Sequence, residues 1–159
     1  PWATFGKLKH RGPNIVTSLE LDPAEMEKRN IHLQQKYAEI EEKEVRYEEI
    51  HCDDAEYLIV AFGSCARIAQ KAMEEARAEG IKVGLLRPIT LWPFPSKAIA
   101  ERSRQVKGIL TVELNAGQMV EDVRLAVECK VPVEYFGRLG GIVPDPDEVV
   151  TALKEKIIK

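Results

Sequence analysis

Apolar residues in this chain come in short dense runs, separated by stretches where they recur at helical spacing. Tyr57-Leu58-Ile59-Val60-Ala61-Phe62 is nearly continuous, the pattern of a strand covered on both faces. Gly63-Ser64 then turns the chain. From Ala66 to Glu79 the positions Ile68, Ala69, Ala72, Met73 and Ala76 share one side of a helix, and Gly80 ends it. Ile81–Leu86 is a second apolar run. Strand, crossover helix and parallel strand predict an α/β sheet whose ligands or partners meet the C-terminal ends of the strands. The loops Gly63–Arg67 and Arg87–Ser96 are therefore where function is expected.

The rest of the chain repeats this alternation. Ile109–Glu113 and Val131–Phe136 read as strands, and Ser96–Arg104, Gly117–Glu128 and Asp145–Ile158 as helices. The last helix carries Pro146 in its first turn and Val149, Val150, Leu153 and Ile157 along one side. Between Val45 and His51 apolar and charged residues alternate, which suits a polar edge strand. Upstream, Asp22 caps and Pro23 opens a helix that runs to about Glu44. Its apolar stripe of Met26, Leu33, Tyr37 and Ile40 is too thin to form a core and needs a surface to rest on. Residues 1–22, broken by Gly and Pro, read as an extended arm. The predicted organisation is an arm (1–22), a helix (23–44) and an α/β domain (45–159) built as a three-layer α/β/α sandwich around a five-stranded, mostly parallel sheet.

With 159 residues and 45% hydrophobic content the chain holds one domain with a real core. A net charge of −3 leaves no basic footprint for nucleic acid. No run approaches the length of a membrane helix, and Pro1-Trp2-Ala3-Thr4 does not open a signal peptide. A start at Pro1 suggests a processed or partial chain. Three cysteines, an odd number with no C-x-x-C spacing, suit a reducing cytoplasm.

Several positions carry candidate chemistry. Gly63, Ser64 and Arg67 sit where a helix N-terminus and a guanidinium can hold an anion; the alternative is that Ser64 caps the helix and Gly63 only lets the chain turn. Neither GxGxxG nor GxxxxGK[ST] is present, which disfavours a dinucleotide or triphosphate site. Cys65 lacks a paired His and is expected to be a small core residue. In His51-Cys52-Asp53-Asp54, neighbouring residues on an extended segment point apart, so they do not converge on a metal. Three prolines stiffen Arg87–Pro95, and its Trp92 and Phe94 either anchor a partner or fold back on the domain. Glu113, Asn115 and Gln118 gather at the end of the fourth strand, where pocket residues collect; Glu113 is a general base in principle only, since no second titratable group is tied to it by sequence. After the fifth strand, Arg138 stands among three glycines, either as a fork for an anion or a carboxylate or in a plain tight connection.

Four blocks carry a family resemblance: AEYLIVAFGSCARIA (55–69), IKVGLLRPITLWPFP (81–95), VELNAGQMVEDVRLAV (112–127) and YFGRLGGIVPDPDEV (135–149). In this order they resemble the C-terminal, transketolase-like domain of the alpha subunit of 2-oxoacid:ferredoxin oxidoreductases. The resemblance implies that the first strand is antiparallel to the others and that helix 23–44 links to an upstream cofactor-binding domain. It implies a complex that oxidatively decarboxylates a 2-oxo acid to an acyl-CoA and passes electrons to ferredoxin. Thiamine diphosphate, Mg and iron–sulfur clusters would lie elsewhere in that complex, with no catalytic, cofactor or metal residue in this chain. Expected partners are the beta subunit, the ferredoxin-like subunit and a second alpha subunit, with ferredoxin met indirectly. Cys129-Lys130 departs from the glycine expected at that helix end. Two other readings stay open: a stand-alone α/β module for an anionic small molecule, and a fragment of a thiamine-dependent dehydrogenase or transketolase.

Overall fold

The computed structural model describes residues 9, 10, 12 and 19–158. The chain divides into two compact units, Pro1–Ala38 and Glu39–Lys159. The expected arm over residues 1–22 lies mostly outside the described residues.

Helix α1 spans Pro23–Lys43. Asp22 caps it as expected, its Oδ1 accepting the N–H of Ala24 at 2.8 Å. No residue of α1 is fully buried; Met26, Leu33 and Ile40 of its stripe are half-buried.

The second unit is the α/β domain. Its elements are β1 (Tyr47–Ile50), β2 (Tyr57–Ala61), α2 (Gly63–Ala78), β3 (Val83–Pro88), α3 (Ser96–Arg102), β4 (Ile109–Glu113), α4 (Met119–Val127), β5 (Val133–Gly137) and α5 (Pro146–Leu153). A π-helical turn, Lys154–Ile158, extends α5. The sheet order is β1-β3-β2-β4-β5, with β1 antiparallel and the rest parallel. Fold class and strand directions are therefore as expected.

Period-2 alternation divides the core. Ile59, Ala61, Leu85, Leu110 and Val112 face α2 and α5, while Leu58, Val60, Leu86 and Ile109 face α3 and α4. The small residues Ala66, Ala69, Ala72 and Ala76 line the buried side of α2. Gly84 lets the chain between β1 and β2 cross close above β3. A Cβ at Gly84 would stand 2.9 Å from the His51 carbonyl and 3.0 Å from Cys52 Cα.

Element boundaries shift in places. Helix α2 begins at Gly63 rather than Ala66: Phe62 stays extended at the N-cap, and Gly63, at φ +57°, makes the sharp turn from strand into helix that a residue with a Cβ would resist. Strand β3 starts two residues later than expected and runs into Pro88. Pro88 stands opposite Tyr47, while the neighbouring Ile89 N–H bonds Arg46. Pro88 therefore fills a position whose N–H is not used toward β1. Helix α4 ends through left-handed Glu128 and Cys129, φ 52° and 59°, where a glycine was expected.

Candidate functional site

The chain leaves β2 toward β3 on one side, and β4 lies on the other side of β2. This reversal makes the C-terminal ends of β2 and β4 the switch point of the sheet, the place where such sheets bind ligands. Gly63 and Ser64 follow β2; Asn115 and Gln118 follow β4; Arg138 follows β5; Trp92 and Phe94 follow β3. The fold thus sets the candidate residues on adjacent loops of one sheet edge, with Arg67 in the α2 helix beside them.

Each loop is built differently. Phe62 occupies the N-cap of α2 and no side chain caps that helix. Ser64 lies inside the first turn, which corrects the reading of Ser64 as a cap. Gly63, Ser64 and Arg67 are exposed. Cys65 is buried beneath them, and burial followed by the charge of Glu113 pushes its thiol pKa up. A raised pKa makes this thiol a poor nucleophile.

Glu113 is fully buried at the end of β4. Its Oε2 accepts the N–H groups of Gln118 (3.1 Å) and Met119 (2.8 Å), and Oε1 accepts that of Val120 (3.0 Å). Those are the orphan donors at the start of α4. Both oxygens are engaged, so Glu113 caps a helix instead of standing free as a general base. Asn115 is equally committed: its Oδ1 accepts the Gly117 N–H at 2.7 Å, and its carbonyl accepts the Tyr135 hydroxyl. Burial first, then Glu113 and Cys65, pushes the Tyr135 hydroxyl pKa up. Gln118 remains exposed at the N-cap of α4.

The proline loop separates its aromatics. Phe94 packs against the α3–α4 core, whereas Trp92 is 54% exposed, beside exposed Ile89 and Leu91. The Trp92–Pro93 bond is cis. Past β5, Arg138 pairs with Glu148 at 2.9 Å. Glu148 also closes the capping box of α5 by accepting the Asp145 N–H at 3.0 Å. Leu139, Ile142 and Val143 are exposed on the same loop.

Away from this edge, Arg77 joins three segments, donating to Val83 O (2.7 Å), His51 O (2.8 Å) and both Asp54 oxygens. Arg102 bonds both oxygens of Glu49, and also reaches Asp53. The His51–Asp54 segment is thus held by arginines. Sequence reading missed both clasps, since partners 23 to 53 residues apart leave no local signal. The three cysteines lie apart: Cys65 in the α2–α5 core, Cys52 in the α3–α4 core, Cys129 exposed after α4. That arrangement does not fit an iron–sulfur cluster. Among the described residues no helix is long and apolar enough to cross a membrane.

A three-layer sandwich with an antiparallel first strand is a fold this chain shares with a split gene transketolase, which superposes with TM-score 0.61 at 22% identity, covering 69% of this chain and 40% of that one. Residues 55–149 match the family "Pyruvate:ferredoxin oxidoreductase core domain II", and the chain belongs to that family. The chain is 49% identical over 154 residues to the ketoisovalerate oxidoreductase subunit VorB of Methanothermobacter thermautotrophicus, covering 97% of this chain and 43% of that protein. It is 33% identical over 101 residues to the 2-oxoglutarate synthase subunit KorA of Methanothermobacter marburgensis, covering 64% and 27%. A 2-oxoglutarate:ferredoxin oxidoreductase structure from Magnetococcus marinus superposes with TM-score 0.73 at 25% identity, covering 86% of this chain and 24% of that one. The chain spans less than half the length of the curated relatives it matches.

Proposed function

We propose that this chain acts as the C-terminal, transketolase-like domain of a 2-oxoacid:ferredoxin oxidoreductase alpha subunit, in a cytoplasmic enzyme that uses 2-oxoisovalerate. The observation that carries this reading is the 49% identity to a ketoisovalerate oxidoreductase subunit across 97% of the chain. The 2-oxoglutarate synthase relatives align less closely and over less of it. The complete complex would decarboxylate the 2-oxo acid, form the acyl-CoA and deliver two electrons to ferredoxin. Thiamine diphosphate with Mg, and the iron–sulfur clusters, are assigned to its other parts; this chain's own residues are bound up in folding, as Glu113 and Asn115 illustrate.

The domain's role is to pack subunits. Ile89, Leu91 and Trp92 on one loop and Leu139, Ile142 and Val143 on another are apolar, exposed and borne on the same sheet edge. The beta subunit and the ferredoxin-like subunit are the proposed partners there, with a second alpha subunit as a further contact. Helix 23–44 is proposed to link this domain, 45–159, to an upstream one.

The test is to tag the chain in its host, purify it without oxygen and assay CoA-dependent viologen reduction. The acids are 2-oxoisovalerate, 2-oxoglutarate and pyruvate in turn. Reduction with 2-oxoisovalerate, lost when thiamine diphosphate is removed, is the expected result. Reduction with 2-oxoglutarate alone would overturn the substrate. A chain that purifies alone and reduces no dye would overturn the assignment.

A further inference from the structure

The two edges of the sheet are finished differently. On the outer edge of β5, Arg124 Nη2 donates to Val133 O (3.2 Å) and Lys156 Nζ donates to Tyr135 O (2.8 Å). These cations occupy carbonyls that would otherwise accept a further strand. On β1 the pairing runs the other way. Ile89 N–H bonds Arg46 O, and the register sets Glu48 opposite Arg87 and Ile50 opposite Leu85. The main-chain groups of residues 46, 48 and 50 therefore face β3, and those of Tyr47 and Glu49 face outward. Among the described residues none bonds the outward N–H or C=O of Tyr47 or Glu49.

A second copy can add to this edge antiparallel, about a local two-fold axis. The charges then select the register. Centring the pair on Arg46, Glu48 or Glu49 sets like charges directly opposite each other. Centring it on Tyr47 sets Arg46 opposite the second copy's Glu48, and Glu48 opposite the second copy's Arg46. Tyr47 faces outward, so the two Tyr47 residues exchange both main-chain hydrogen bonds. Arg46 already pairs with Glu44 (3.0 Å), and Glu48 with Arg87 (3.1 Å). Joining two copies extends these into one alternating row, Arg87–Glu48···Arg46–Glu44, on each side of the axis. Tyr47, 43% exposed on the opposite face of the strand, meets its own counterpart.

We propose that β1 is a self-complementary edge through which two copies of this chain pair antiparallel, centred on Tyr47, joining their sheets into one. This names the surface for the self-association proposed above and rests on that reading.

The test compares cross-linking at two positions in the full chain, with exposed Cys129 replaced (Cys129→Ser). The Cα atoms of two Tyr47 residues would lie about 5.5 Å apart, within disulfide reach. Those of two Glu49 residues would lie about 14 Å apart, out of reach. Mild oxidation should convert Tyr47→Cys to a dimer on a non-reducing gel at least about ten-fold more than Glu49→Cys. Sedimentation of the unmodified chain should show a dimer, weakened by Arg46→Glu and recovered when Glu48→Arg is added. A dimer indifferent to the charge exchange, or cross-linked equally at both positions, would overturn this surface and leave self-association standing. A chain that stays monomeric and does not cross-link would overturn both.

Discussion

The Oε2 atom of Glu113 accepts the main-chain N–H of Met119 at 2.8 Å across the turn from β4 to α4. One fully buried carboxylate thereby ties the central sheet to a helix, serving three donors of that helix at once. Replacing it (Glu113→Ala) leaves the start of α4 uncapped beside a small void. The expected loss of stability is about 2–4 kcal/mol, given charge-assisted bonds and orphaned donors. Urea denaturation of the wild type and the variant measures it. An unchanged midpoint would contradict the capping role.

Gly84 is the second sensitive point. A methyl group there meets the His51 carbonyl, Cys52 Cα and Ala55 Cβ at 2.9 to 3.1 Å. Two of these are backbone atoms that cannot swing aside. Gly84→Ala should cost about 1–3 kcal/mol, the usual range for overpacking, whereas Gly12→Ala meets nothing within 4 Å among the described residues. Thermal melts of the two variants side by side would show whether crowding is the cause.

Thiol labelling separates the three cysteines. Cys129 is exposed, while Cys52 and Cys65 are buried. Near pH 8, roughly the ordinary thiol pKa, the native chain should consume one equivalent of a thiol reagent and the denatured chain three. Burial, then the charge of Glu49, pushes the Cys52 thiol up to about 11 from 9.0. Its folded-state pKa is raised, so the stability it contributes is present below pH 9.0 and is lost as pH rises through about 11. Cys52→Ala should flatten the alkaline limb of a stability–pH curve. An equally steep limb in that variant would assign the loss to other groups.

The acid limb has the opposite sign. Hydrogen bonding from Arg77 holds the Asp54 carboxyl below its ordinary pKa, and bonding from Lys107 does the same for Glu56. Depressed folded-state values give stability that is present above the ordinary carboxylate range and is lost as pH falls below it. Both carboxylates are exposed, so added salt should weaken the effect. Asp54→Asn and Glu56→Gln together should make urea midpoints fall less steeply on acidification. The same slope in wild type and double variant would refute the assignment.

The elements were legible in the sequence to different degrees. The run Ile109–Glu113 is fully buried, and β4 occupies those five residues as expected. Asp22 and the Asp145-Pro146 start were readable because caps and first-turn prolines act within three residues. The start of α2 was misplaced by three residues, since whether Gly63 turns the chain or opens the helix depends on how Phe62 leaves the sheet. The two aromatics of the proline loop could not be told apart by local pattern. Phe94 meets the α3–α4 core and Trp92 stands out from it, a difference set by the packing of elements distant in sequence.

The layers, the mostly parallel sheet and, through four ordered blocks, the family could all be read from local pattern along the chain. Such information is carried by hydrophobic period, by turn residues and by words shared with relatives, all of them local along the chain. What the polar residues do was set by packing between elements distant in sequence. Glu113 became a cap instead of a base, Arg138 was claimed by Glu148, and Arg77 was closed onto Asp54. A charged side chain has no preferred role until folding brings a partner within about 3 Å. Those partners arrive from elements that only the sheet order makes neighbours.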